Sequence, residues 1–248
     1  DRRGTVWREG QEIHVAGKPE HLPRRLRDWL TAEFRSELVP LVHAKALRVE
    51  RPVKRITVRD SRSRWGSCGP DATLSFSWRL VFAPPEVLDY LVAHEVGHVE
   101  LGHCFDAVRF QLLAQKVGVS HLGGFADLAF GLLTRHAYSK TMEDEADRYA
   151  WKLLLASRYD PAALGRSFES LRIHSARQGM ATPRQAELFR DYFMSHPPLE
   201  LRVEKYAQSA RQWWSENPAG QRYRGRLNLE QRQSMAQSAL AQEWVRQP

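Results

Sequence analysis

Apolar residues recur with two different periods along the first third of the chain. Residues 5–16, "TVWREGQEIHVA", alternate around a Glu-Gly pair, which predicts a short hairpin. Residues 22–47 have apolar side chains every three or four positions, a spacing that is broken only near Pro40 and that predicts a helix. The alternating segments 53–60 and 73–82 predict two strands, separated by a loop that contains Gly and Pro. This part is therefore expected to combine a small sheet with one long helix.

From Pro84 onward the pattern becomes helical. The segment "PPEVLDYLVAHEVGHVELGH" begins with prolines, where a helix can start, and Gly102 can end it. Further apolar periodicity predicts helices over residues 105–117, 124–136, 140–158, 161–178, 184–193 and 198–213. We therefore expect an α+β fold in which a small mixed sheet packs on a helical lobe.

These patterns also predict how the chain is divided. One domain is expected over residues 1–213, with a basic α/β part up to residue 83 and a helical part from residue 84. Residues 214–248 are expected to be a linker, "SENPAGQRYRGRLN", followed by a polar helical tail over 228–246.

Composition places the chain among ordinary globular proteins, since 42% of its 248 residues are hydrophobic and 27% are charged. The longest mostly apolar run, residues 122–133, is shorter than the ~20 residues that a membrane span needs. No signal peptide is visible near the first residue, and the two cysteines, Cys68 and Cys104, mildly favour a reducing compartment. A cytoplasmic location is therefore expected.

Positive charge is concentrated near the N-terminus. Residues 1–66 contain 16 lysines or arginines against 9 acidic residues, which leaves almost all of the net charge of +8 in that quarter. A solvated basic face explains this distribution, and a polyanionic partner such as nucleic acid is the alternative.

The segment "HEVGHVELGH" contains three histidines and a candidate metal site. His94 and His98 are four residues apart, so on a helix they lie about 40° from each other and can reach one ion. Glu95 is placed to take a proton from a water molecule that zinc activates. The alternative is a helix with two partly exposed histidines. His103 follows His94 by nine residues and would point about 180° away, so we expect it to contact the carbonyls at the helix end rather than a metal.

A third ligand is instead expected from "KTMEDEADRYAWKLL", where Glu143 and Asp147 share one helical face. One carboxylate can bind the ion and the other can accept the second N–H of a ligating imidazole. The pattern does not decide which does which, and an acidic first turn of a surface helix is the alternative.

Residues 94–206 resemble the gluzincin peptidases of the HtpX and CAAX-prenyl-endopeptidase type. The resemblance is carried by the two segments above and by "MSHPPLELR". It implies one zinc ion held by His94, His98 and Glu143.

The same resemblance implies further roles. Asp147 would orient a ligand, and Glu95 would be the general base. His196 and Arg202 would approach the site as transition-state contacts, His196 by donating to the developing oxyanion. For His196, the entry of a helix at "SHPPLE" is the alternative interpretation.

A second resemblance overlaps the first. Residues 56–95 resemble the YgjP-like metallopeptidases, in which an Arg-Trp-Gly-Ser-Cys loop and a strand lead into the motif helix. That family takes a third histidine from an Asn-His pair, which this chain lacks. The strand 73–82 is then a candidate edge for an extended substrate peptide, with a core strand as the alternative. Arg62, Arg64 and Trp65 are candidates for substrate entry, or simply a loop anchored by Trp65.

Together these patterns predict a zinc-dependent metalloendopeptidase acting on a protein or peptide. A nucleic-acid-associated protease of the SprT-like type and a zinc-holding scaffold without turnover are the alternatives.

Overall fold

The computed structural model describes residues 5–10, 12–61, 64–83, 85–106, 124–178, 198–227 and 240–246, with the side chains of residues 124–139 and 174–178 left out. The helices and strands in chain order are β1 (Val6–Glu9), β2 (Glu12–Val15), α1 (Leu22–Ala46), β3 (Arg55–Arg59), β4 (Gly66–Cys68), β5 (Thr73–Ser77), α2 (Pro85–Leu101), α3 (Gly124–Ala156), α4 (Ala163–Gln178), α5 (Leu199–Glu216), β6 (Arg222–Tyr223) and β7 (Trp244–Val245).

The N-terminal hairpin and long helix form as the periodicity predicts. β1 and β2 pair antiparallel, with Val6 opposite Val15. Along α1 the buried side chains are four residues apart, so they form one stripe that faces the core. Leu38 is completely buried on this stripe, whereas Leu47, the residue after the helix, is 87% exposed.

A three-stranded mixed sheet, in the order β3-β5-β4, lies beside α2. β5 pairs parallel with β3 and antiparallel with β4, so it is the central strand. The hypothesis that residues 73–82 form an exposed edge strand is therefore wrong. The strand ends at Ser77, residues 78–82 form a 3-10 turn, and both faces of β5 are largely buried. In the described part of the chain, the edge strand on the α2 side is the three-residue β4.

α2 is the central helix. Every residue from Val87 to Val99 except Asp89 is buried, so α2 lacks the polar face of a surface helix. It contacts α1, β4, α3 and α4. A helix buried on all sides holds its polar side chains, here His94, Glu95 and His98, in an environment with little water.

The C-terminal half differs from the predicted pattern in its boundaries. The helices predicted over 124–136 and 140–158 are one continuous helix, α3. The helices predicted over 161–178 and 198–213 correspond to α4 and α5. The predicted helix 184–193, and residues 107–117 of another, lie outside the described residues. No described helix has both the length and the apolar content needed to cross a membrane.

Part of the predicted linker and tail packs against the body. The backbone of Tyr223 accepts a hydrogen bond from the N–H of Asp160 and donates one to the carbonyl of Arg158, and the Tyr223 side chain is fully buried. Residues 240–246 form a 3-10 turn and strand β7, which pairs with β6, so the helical prediction is wrong there. The limits at 83 and 213 stay predictions, while the α+β class, with a small mixed sheet beside a helical lobe, is confirmed.

Candidate metal centre

Two histidines of α2 direct their Nε2 atoms toward each other. His94 and His98 lie one turn apart, are 1% and 8% exposed, and bring their Nε2 atoms to 3.1 Å. The four-residue spacing accounts for this convergence, since it puts both rings on one face of the helix.

Glu143 reaches the same point from α3. Its Oε2 lies 2.9 Å from Nε2 of His94, and its Oε1 lies 3.5 Å from Nε2 of His98. Gly97 permits this approach of the two helices, because a Cβ there would lie 3.3 Å from the carbonyl oxygen of Ala146 and 3.1 Å from the ring of Tyr149. The missing side chain between the two histidines therefore lets α3 come close enough to supply a carboxylate.

Asp147, one turn after Glu143, lies behind His94. Its Oδ1 is 2.9 Å from Nδ1 of His94, on the far side of the ring from Nε2. The Asp147 carboxylate is almost fully buried, and Arg202 donates to both of its oxygens, at 2.6 and 2.8 Å. Tyr90 donates to it at 2.9 Å. The buried negative charge is thus matched by a buried positive one, as burial of ions requires.

His103 lies behind His98 in the corresponding position. Its Nδ1 is 2.9 Å from Nδ1 of His98, and its Nε2 is 3.0 Å from Oε2 of Glu145 on α3. His103 is 5% exposed. It supplies no atom to the cluster of His94, His98 and Glu143, but its partners are these side chains and not the helix carbonyls that the sequence favoured.

Glu95 is buried under the edge strand β4. It is 6% exposed, and a Cβ built on Gly66 would lie 2.3 Å from its Oε1. Burial raises the pKa of Glu95 to about 7, because the charged carboxylate is poorly solvated there. A carboxyl group with such a pKa can both accept and return a proton near neutral pH.

The two α2 histidines differ in their electrostatics. Burial lowers the pKa of His98 to about 4, which keeps that ring neutral. Burial also acts to lower the pKa of His94, but hydrogen bonds with Asp147 and Glu143 outweigh it and raise the pKa well above 6.5. A metal ion at this point must therefore displace a proton, so binding is expected to weaken as pH falls.

Of the other residues predicted to serve the site, Arg64, Trp65 and Arg202 lie in the described part of the chain. Arg202 contacts Asp147 and stacks on Phe168 at 4.1 Å, which puts it behind His94 and not beside Nε2. Arg202 was predicted to contact the transition state, but the side chain that it contacts here is Asp147. His196 and Arg62 lie outside the described residues. Trp65 packs against the core, as expected for an anchored loop.

The donor set fits a divalent metal ion. One atom each from His94, His98 and Glu143 lie within 4.8 Å of one another. Ligand atoms at about 2.0–2.1 Å in a tetrahedral zinc site lie roughly 3.3–3.4 Å apart, and the closest separations here are 2.9, 3.1 and 3.5 Å. Two imidazoles and a carboxylate are one of the known donor sets of catalytic zinc.

A His-Glu-x-x-His helix buried beside a glutamate from a following helix defines a zincin-like metallopeptidase fold. The chain belongs to peptidase family M48. The model of that family matches residues 83–210, which are more than half of the chain. Residues 4–103 match the YgjP-like, metallopeptidase domain family. The two matches overlap on α2, so both resemblances predicted from the sequence are confirmed, and membership of family M48 implies a divalent metal.

Among curated proteins, the chain is 30% identical over 115 residues to Metalloprotease LoiP of Escherichia coli (strain K12). The match covers 42% of this chain and 43% of that protein, so the chain spans less than half the length of the relative. No solved structure matches the chain.

The buried ion pair behind His94 yields a prediction on stability. Arg202→Met keeps most of the apolar volume against Phe168 but leaves the Asp147 carboxylate buried without its partner, so the free energy of unfolding should fall by about 3–5 kcal/mol. Lys205→Met is the matched control, because Lys205 pairs with Asp144 between the same two helices at the surface. In Lys205→Met the free energy of unfolding, measured by urea unfolding at pH 7, should fall by only about 0–1 kcal/mol.

The effect should also depend on pH. Arg202 and His94 hold the pKa of Asp147 well below its usual 3.8, so its contribution is present above about pH 4 and is lost as pH falls further. In Arg202→Met, protonation at low pH removes the unpaired charge. The gap between parent and variant should therefore narrow below pH 4, and a gap of equal size at every pH would contradict this assignment.

Proposed function

We propose that the protein is a zinc-dependent endopeptidase that holds one zinc ion between His94, His98 and Glu143. The convergence of two imidazole nitrogens and one carboxylate on a single point carries this proposal. Both imidazoles use their other nitrogen for a buried partner, Asp147 or His103, which leaves Nε2 as the nitrogen directed at the ion.

A bound zinc ion would lower the pKa of a water molecule to about 7 and polarise the carbonyl of the scissile peptide. Glu95 follows the first ligand directly, and with zinc bound it would take a proton from that water and return it to the leaving amine. Its burial supports both steps, since a pKa of about 7 allows the carboxyl group to change its protonation state near neutral pH.

The free edge of β4 is the proposed binding surface for an extended peptide. Trp65 and Gly69 use their backbone groups to pair with β5, so by alternation the groups of Gly66 and Cys68 face the other way. In the described part of the chain no strand pairs with that side. A substrate strand added there would run next to Glu95, whose carboxylate lies against Gly66.

The other site residues have supporting roles. Asp147 fixes the ring of His94, and Arg202 holds Asp147 in place, which makes Arg202 a positioning residue. A donor to the developing oxyanion is still required, and the resemblance of "MSHPPLELR" to the same element in M48 peptidases makes His196 the candidate.

Two alternatives stay as predictions. Binding to mixed-sequence DNA that weakens steeply with salt would support a nucleic-acid-associated protease. A protein that binds zinc but cleaves no peptide under any metal condition would be a scaffold.

The third ligand is tested by a pair of neighbouring acidic residues. Glu143→Gln should weaken zinc binding by more than the roughly 100-fold typical of an outer-shell change, because a ligand itself is lost. Asp144→Asn, one residue on and paired at the surface with Lys205, should keep the zinc affinity of the parent. Zinc content is measured by atomic absorption and affinity by chelator competition. Stoichiometric zinc in Glu143→Gln together with its loss in His103→Ala would overturn the assignment.

The general base is tested with two substitutions. Glu95→Gln should keep zinc and lower kcat/KM on a fluorogenic peptide by about 10²–10⁴-fold. Gly66→Ala should also keep zinc and the fold, but lose activity, since the added Cβ displaces the Glu95 carboxylate. Gly165→Ala is the control, because a Cβ there has its nearest neighbour at 3.5 Å, an ordinary contact. Full activity in Glu95→Gln would rule out this mechanism.

A further inference from the structure

A second buried hydrogen-bonded chain runs from α2 to α3 on the side of His98 that faces away from Glu143. It joins His98 to His103 through their Nδ1 atoms at 2.9 Å, and His103 to Glu145 at 3.0 Å. The rings of the two histidines are 5.1 Å apart and inclined by 70°, so this contact is a hydrogen bond and not a stack.

A single glycine makes the chain of contacts possible. α2 ends at Leu101, and Gly102 has φ of +72°, a left-handed conformation that side chains disfavour. The N–H of Gly102 donates to the carbonyl of Val99, and a new helical turn begins at His103, with the N–H groups of Phe105 and Asp106 donating to the carbonyl of Gly102. One residue is enough to return His103 to α2, where it meets the Nδ1 edge of His98 and not the metal cluster.

The hydrogen-bond chemistry fixes which atom donates at each step. His98 can offer Nε2 to a metal only if its proton is on Nδ1, so Nδ1–H of His98 donates to Nδ1 of His103. The proton of a neutral His103 is then on Nε2, which donates to the Glu145 carboxylate. One tautomer of each ring satisfies the whole chain, and reversing either ring leaves two donors or two acceptors facing each other.

His94 and His98 are thus supported by different chemistry. Behind His94 lies a buried carboxylate whose charge Arg202 matches. Behind His98 lies a neutral imidazole, and the acid at the end of that chain, Glu145, has a side chain that is 43% exposed. The second arrangement avoids placing another anion in the interior, because the charge lies near the surface, where water solvates it.

We propose that His103 and Glu145 are positioning residues that fix the tautomer and the orientation of the His98 ring for metal binding. The inference rests on the proposed zinc site but concerns residues outside it. Removal of the acceptor at His103 should allow the His98 ring to rotate and change tautomer, which lowers metal affinity without removing a ligand.

The test compares His103→Leu with His103→Asn. Leu fills the space but cannot accept a hydrogen bond, so the dissociation constant for zinc should rise by about 10–100-fold. Asn places Oδ1 where Nδ1 of the histidine lies, so it should restore most of the affinity. Cobalt(II) substituted for zinc gives a second measurement, since its visible absorption reports ligand geometry and should change in the Leu variant only.

Glu100→Ala is the matched control. Glu100 lies in the last turn of α2 and accepts the N–H groups of Glu50 and Arg51, so its loss perturbs the same helix end without touching His98. Its zinc affinity and cobalt spectrum should equal those of the parent. Glu145→Ala should weaken zinc binding less than His103→Leu, because it removes only the outer link.

Unchanged zinc affinity and cobalt absorption in His103→Leu would overturn the proposal, as would an Asn variant that is as impaired as the Leu variant. If His103→Leu does not fold, Glu145→Ala decides, since that side chain is near the surface: weaker zinc binding supports the relay and unchanged binding refutes it. Failure of the proposed zinc site is distinguishable, because the parent protein itself would then bind no zinc. Failure of peptide cleavage alone would leave zinc binding by the parent, and so this test, intact.

Discussion

The close contact between α2 and α3 at Gly97 brings the acidic residues of α3 to the histidines of the metal centre. A side chain at this position would meet the backbone of Ala146 and the ring of Tyr149. With the two helices this close, three acidic residues within five positions of α3 reach the histidines on and just after α2. Glu143 meets the Nε2 atoms of both histidines, Asp147 meets Nδ1 of His94, and Glu145 meets His103.

Burial makes these contacts both costly and useful. Ionised groups in a region with little water are tolerated only when they are paired or hydrogen-bonded. Asp147 has Arg202, Tyr90 and His94 as partners, and its pKa is lowered accordingly. At Glu95 burial outweighs the opposing charges of His94 and Arg64, so its pKa rises instead. Two carboxyl groups in one interior are thus suited to different tasks, one to holding a ring in place and the other to exchanging a proton.

The sequence allowed prediction of features set by spacing within one element. The four-residue spacing of His94 and His98, and of Glu143 and Asp147, defines a helical face without knowledge of the fold, and so does the buried stripe of α1. The "EDEAD" segment alone leaves the roles of Glu143 and Asp147 open, and the resemblance to known peptidases is needed to choose between them.

Features that depend on tertiary contacts could not be predicted in this way. β4 has only three residues, too few for a recognisable alternation, so the edge of the sheet was assigned to β5. Prediction of the contact between His103 and His98 required knowing that Gly102 adopts a left-handed conformation and that α3 lies nearby. The family resemblance predicts Arg202 as a contact of the transition state, whereas its burial against Phe168 places it behind His94.

X-ray absorption at the zinc K-edge of the zinc-loaded protein tests the central claim most directly, because it reports the ligand types around the ion in solution. Ligation by His94, His98 and Glu143 predicts a spectrum fitted by nitrogen and oxygen at about 2.0–2.2 Å with the scattering of two imidazoles. A third imidazole would place a further histidine, such as His103 or His196, on the metal. A sulfur shell at about 2.3 Å would place Cys68 or Cys104 there, and either result would contradict the proposed centre.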